Sequence, residues 1–307
     1  MNEKELTELL AFFPKYRKPF FYFKDRYALL LLSLSTDDEV SKQSLKKTAY
    51  SKLLDKAVVK ETLGQFGGKA LSADHFDVHW PKPVLNYTLT LGQWGHSRYT
   101  GYQTSRRGFN LVLQLNFGWD HDRDYLSLDP SGYRPFENRY HPIAAKPFRT
   151  LAWARLDVDL VSGEVLIEEI QTDWVRNAKA AYRIAEHFKY VGYQRLKCRF
   201  LSADVIRYVD EVLAPHSRVW DEAMLAATLW FVRRELGIRR VYYHSHETGA
   251  ALKKICYSLP PRSLYTQLPK KFCFAETRLP PAFLRKKSGR LATHRRIPDA
   301  KFHSLEL

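Results

Sequence analysis

The stretch Arg149 to Trp174 reads RTLAWARLDVDLVSGEVLIEEIQTDW, and its pattern decides the fold. Arg149 to Leu160 and Glu164 to Thr172 are two strand-like runs joined at Ser162-Gly163, a dipeptide suited to a tight hairpin turn. Beyond them, Trp174 to Phe188 carries Ala178, Ala181, Tyr182 and Ala185 at helical spacing. Asp221 and Glu222 open an apolar helix that runs through Leu236 and stops at Gly237. Arg240 to Ser245 reads as the next strand, Thr248 to Ile255 as a short helix, and Lys271 to Ala275 as a last strand. A hairpin followed by helix, strand, helix and strand predicts an α/β fold whose mixed sheet has one parallel crossover.

Upstream, Leu85, Tyr87, Leu89 and Leu91 alternate with polar residues, and so do Phe109, Leu111, Leu113, Leu115 and Phe117. Each set predicts a half-buried strand. Gly92 to Gly108 between them is a loop rich in Gly, Arg and aromatics, and Asp120 to Pro147 reads as a long irregular loop of the kind that carries function. Nearer the N-terminus, Leu6, Leu9, Leu10 and Phe13 predict an amphipathic helix ended by Pro14. Leu45, Ala49, Leu53 and Ala57 predict a second helix, and Val58, Leu63 and Phe66 a third that stops at Gly67-Gly68. The expected organisation is a helical cap over residues 1–80, an α/β core over 81–277 and a basic tail over 278–307.

Of 307 residues, 45% are hydrophobic and 27% charged, which excludes a disordered or low-complexity chain. The longest apolar run, near Tyr27 to Leu32, is too short to span a membrane. Glu3, Lys4, Glu5 and Glu8 interrupt the leucines of the N-terminus, unlike a signal peptide, so a cytoplasmic location is expected. Cys198, Cys256 and Cys273 form no CxxC pair, so neither a disulfide framework nor a zinc ribbon is expected. Charge is the strongest global signal: 49 Lys and Arg against 33 Asp and Glu give +16. Arg278 to His303 holds eight Lys or Arg against one Asp, including Arg285, Lys286, Lys287, Arg295 and Arg296. Such an excess predicts a polyanionic partner, nucleic acid or a phosphate-rich ligand, held by those tail residues.

Side chains alternate along a strand, so Glu169, Gln171 and Asp173 are expected on one face, and Glu168 with Ile170 on the other. Tyr242, His244 and His246 are expected to share a face of the later strand. Were the two strands neighbours, Glu169 would form an acid/base pair with His244 or His246 at their C-terminal ends, where open α/β sheets bind ligands. No metal is expected, since His244-x-His246 supplies two ligands with no third marked by spacing.

The run VLIEEIQTDW, Val165 to Trp174, resembles the IEEIQSDW signature of very large polyvalent proteins of phages and conjugative elements. That resemblance implies a shared fold, extending over residues 95 to 275 as a pattern, and a mobile-element origin. The element order is similar to that of GNAT-type acyltransferases, in which acyl-CoA lies between two splayed central strands, here 164–172 and 240–245. By this resemblance Glu169 is the base that deprotonates an amine, Tyr265 the acid with Tyr257 as substitute, and Arg176 and Gln171 hold the cofactor. The family's glycine loop is replaced by Arg176-Asn177-Ala178-Lys179-Ala180-Ala181, which has no glycine. Asp157 or Asp159 followed by Glu169 and Gln171 also resembles the divided acidic motif of restriction-endonuclease-like nucleases, which implies Mg²⁺ bound between adjacent strands. The leading expectation is acyl transfer to an amine, the second a non-catalytic nucleic-acid-binding module, and the third a Mg²⁺ nuclease.

Overall fold

The computed structural model describes residues 1–36, 39–67, 70–96, 103–129, 134–190, 200–255, 259–285 and 300–307, with backbone alone at 189–190. Among them, eight strands form one sheet: β1 Lys18–Tyr22, β2 Leu85–His96, β3 Gly108–Phe117, β4 Thr150–Asp159, β5 Glu164–Gln171, β6 Arg240–His244, β7 Ala275–Thr277 and β8 Phe302–Glu306. Their spatial order is β1-β2-β3-β4-β5-β6-β8-β7. Neighbours pair antiparallel except β5 and β6, the expected parallel crossover.

The helices are α1 Glu3–Phe12, α2 Arg26–Ser35, α3 Lys42–Leu45, α4 Ala57–Gly64, α5 Trp119–Leu128 and α6 Asp173–Tyr190. After these come α7 Ser202–Arg207, α8 Ala214–Ser217, α9 Trp220–Arg234, α10 His246–Lys253, α11 Ser263–Lys271 and α12 Ala282–Arg285. None among the described residues is long and apolar enough to cross a membrane.

The quoted hairpin forms as its pattern predicts, with Gly163 at φ 62° in the turn, a backbone that glycine adopts at no steric cost. Helix α9 covers one face of the sheet. Leu225, Leu229 and Val232 on it are fully buried with Leu113, Leu156 and Ile167 in the main core. Leu229→Ala should therefore destabilise the fold by about 2–5 kcal/mol in urea unfolding. A loss under about half a kilocalorie, the scale of surface substitutions, would contradict this packing.

Five features differ from expectation. Residues 1–80 are not helical throughout, because Lys18–Tyr22 adds the edge strand β1, and its five residues are too few to show a period. Asp120 to Pro147 is not wholly irregular, since α5 opens it with Asp120 and Asp122 in the favourable first turn. The C-terminal segment does not end as a tail: Phe302–Glu306 inserts between β6 and β7, with Phe302 and Leu305 buried. The predicted helix through Leu45, Ala49 and Leu53 is broken into α3 and a 3-10 turn at Ser51–Asp55. The predicted strand at Lys271 to Ala275 starts later, at Ala275, because α11 runs on through Lys271.

Candidate functional site

Between β4 and β5 the register slips by one residue: Arg155 faces Glu169, but Leu156 faces Ile167. Glu168 is the extra residue of a β-bulge, which turns two successive side chains to one side. Ile167 and Ile170 point into the main core, while both the Glu168 and Glu169 carboxylates lie on the opposite face. Strict alternation had placed them apart, and the bulge is the physical reason for the correction.

Glu168 is fully buried and fully partnered. The Ser105 backbone N–H donates to Oε1 at 2.9 Å and the Ser105 hydroxyl to Oε2 at 2.8 Å, with His244 Nε2 at 3.1 Å. Burial alone would push this carboxyl up, but the His244 hydrogen bond and the Lys253 and Arg155 charges outweigh it and hold it at about 2. Burial pushes His244 down, so the imidazole is neutral and donates from Nε2. Ser105, His244 and Glu168 do not form a nucleophilic triad, since both contacts use Nε2 while Nδ1 is buried without a partner among the described residues.

Glu169 accepts from Arg155 and lies 3.8 Å from Lys253 Nζ. Burial raises its pKa, and the Lys253 and Arg155 charges overcome that and lower it, which leaves a weak base. His244 therefore pairs with Glu168 rather than Glu169. His246 sits in the first turn of α10 with Nε2 3.1 Å from the Pro260 carbonyl, away from both carboxylates' hydrogen bonds.

The β5–β6 ladder ends at Ile167 and Tyr243. Past that point the strands part, and Lys253 Nζ donates to the Glu168 carbonyl at 2.9 Å. Tyr243 and Tyr265 flank the gap with ring centroids 5.3 Å apart, their hydroxyls buried and without hydrogen-bond partners among the described residues. Burial pushes Tyr265 far up, so it holds its proton rather than giving it away.

At the rim of this face the chemistry changes. His141, from the loop after α5, places Nδ1 2.7 Å from Asp173 Oδ2. Gln171 donates to Asp173 Oδ1 at 2.9 Å, Arg176 reaches the same oxygen, and Trp153 Nε1 approaches Oδ2 at 3.4 Å. Burial raises the Asp173 pKa, and His141 and Arg176 outweigh it and lower it, so the carboxylate is ionised. It therefore accepts from His141 Nδ1–H, so Nε2 is the ring nitrogen left for other partners. His141 is about a quarter exposed, and Nε2 makes no hydrogen bond among the described residues.

The turn that would receive a cofactor phosphate is already occupied. The Thr172 hydroxyl accepts from Val175 N–H at 3.2 Å, capping α6, and Asp173 adds a negative charge there. Arg176 is bound to Asp173, and so is Gln171.

The acids of the hairpin do not converge. Asp157 pairs with Arg106 Nε at 2.7 Å and the Met1 amino group at 2.8 Å, and Asp159 with Arg106 and Ser162. No group of three His, Cys, Asp or Glu suited to a metal occurs among the described residues. Of the basic cluster, Arg285 is exposed at the end of α12, while Lys286, Lys287, Arg295 and Arg296 lie outside the described residues, as do Tyr257, Cys198 and Cys256.

His141, Ser105, Lys253 and Arg155 were not singled out by sequence pattern. Only Arg155 carried a signal, a lone cation among the apolar residues of β4 opposite a double Glu. Comparison with family models, curated proteins and solved structures gives no match to the chain.

Proposed function

We propose that the chain is an acyltransferase in which His141 deprotonates an amine or hydroxyl nucleophile and Asp173 positions the imidazole. The observation that carries this reading is the 2.7 Å His141–Asp173 contact at the rim of the sheet face, with Nε2 unused. His141 takes the proton as the nucleophile's lone pair attacks the acyl carbon. The new bond forms, the bond from acyl carbon to leaving group breaks, and the imidazolium returns its proton to the leaving group. Asp173 compensates the transient imidazolium charge, the usual work of a carboxylate on Nδ1. Glu169, assigned this role by resemblance, is instead held by Arg155 and Lys253.

The capped and acidic start of α6 disfavours a diphosphate there, so the donor class favoured is an activated ester or thioester recognised by its acyl end. The test is acyl transfer from p-nitrophenyl acetate and acetyl-CoA to a panel of amines. His141→Gln should lower the rate roughly 10²–10⁴-fold, the usual contribution of general base catalysis. No transfer above the variant's level would sink the reading. Retention of nucleic acid by both proteins, with no transfer by either, would favour the second reading, a non-catalytic polyanion-binding module supported by the +16 charge.

A further inference from the structure

A cavity of about 290 Å³ opens beside the α1–β1 connection, over β2 and β3. Its lining includes Lys15, Arg17 and Lys146 and no carboxylate. All three cations are exposed, and among the described residues none has an acidic partner. Cations nearby are neutralised, Lys18 by Glu235 at 2.7 Å and Arg149 by Asp122 at 3.0 Å. The cavity wall thus carries three cations that no carboxylate offsets among the described residues.

The remaining wall is largely apolar. Phe13, Phe148 and Leu91 line it, and the Arg17 guanidinium lies over the Phe148 ring, 5.2 Å from its centroid. The wall formed by residues 144–148 is fixed to the sheet. Gln114 Nε2 donates to the Pro142 carbonyl at 2.9 Å, and Ala144 N–H donates to the Thr150 hydroxyl at 2.9 Å. A wall held this way needs little ordering when a ligand enters.

We infer that this cavity binds a phosphate monoester carrying a flat apolar body, of the size of a nucleoside monophosphate. Three unpaired cations favour a dianion over a monocarboxylate, and an arginine fork suits phosphate oxygens. Aromatic walls suit the flat body, and the volume lies at the small end of ligand sites, about 300 Å³ and upward. The site does not depend on His141. His141 is not among its lining residues, and cross-strand register from Gln114 through Trp153 puts Gln171 two strand spacings, about 10 Å, from Gln114.

The test is calorimetric titration of the full chain with adenosine monophosphate, adenosine, inorganic phosphate and a short single-stranded oligonucleotide. The monophosphate should bind more tightly than adenosine or phosphate. Arg17→Glu and Lys146→Glu, both surface changes, should each weaken it by roughly tenfold or more, the loss of one charge-assisted hydrogen bond. His141→Gln should bind it as the wild type does, whatever becomes of transfer activity. No binding, adenosine or phosphate equal to the monophosphate, or unchanged affinity in both charge variants would overturn the proposal. Binding of the oligonucleotide without the monophosphate would also overturn it, in favour of an extended polyanion surface.

Discussion

Acidification from about pH 6.5 to about pH 4.5 should cost the fold at least about 3 kcal/mol, because buried histidines are held neutral. His216 is the best-defined case. Burial lowers its pKa first, and nearby His121 adds to this, bringing it from 6.5 to about 3. Tyr87 Oη lies 3.0 Å from its Nδ1, within hydrogen-bonding distance. His121 is also lowered by burial, and its Nε2 faces Tyr208 Oη at 2.8 Å. Since Trp174 Nε1–H already donates to that hydroxyl at 2.7 Å, the tyrosine's own proton goes to His121. Below pH 6.5 the unfolded chain takes up protons that the folded chain refuses, so stability falls with pH, by about 1.4 kcal/mol per unit for each such histidine. For His216 this loss continues until about pH 3. Urea unfolding across the range measures it, and His216→Gln, which keeps a hydrogen-bonding partner for Tyr87, should flatten the slope. A stability that stays level from pH 6.5 to 4.5 would show these rings to be solvated.

Arg155→Met should cost about 3–5 kcal/mol, since it removes the only side chain that hydrogen-bonds the buried Glu169 carboxylate among the described residues. Arg155 and Glu169 are both nearly inaccessible, and the remaining partner, Lys253, is 3.8 Å away. Glu168 and Glu169 both have depressed values, so their stabilisation is present above about pH 4.5 and is lost as pH falls through the folded values, about 2 for Glu168. In the double variant Arg155→Met, Glu169→Leu no buried charge is orphaned on that pair, and the loss should be smaller than the two single losses summed by roughly 1–3 kcal/mol. Urea midpoints and slopes for the four proteins give the coupling. Additive losses would mean the two side chains are independent.

Much of this was legible in the chain. The hairpin at Ser162-Gly163 and the apolar run of α9 carry local patterns that mark a tight turn and a buried helix. Three features were not legible, each for a physical reason. The bulge at Glu168 breaks the two-residue period without leaving a glycine or proline to mark it. Strands β1 and β8 have five residues each, and long-range pairing rather than local pattern makes them strands. His141 meets Asp173 across 32 positions, and nothing in its loop records that meeting. Asp173 itself was visible, placed on the same face as Glu169 and Gln171, but its partner was not.

The most direct test of the His141–Asp173 assignment is a transfer-rate cycle on wild type, His141→Gln, Asp173→Asn and the double variant. If the two side chains act as a unit, Asp173→Asn should lower kcat by roughly 10²-fold or more, and the double variant should be no slower than His141→Gln alone. KM should move little, which separates a positioning role from lost substrate contact. Multiplied losses in the double variant, or an Asp173→Asn protein as fast as wild type, would contradict the assignment of the base.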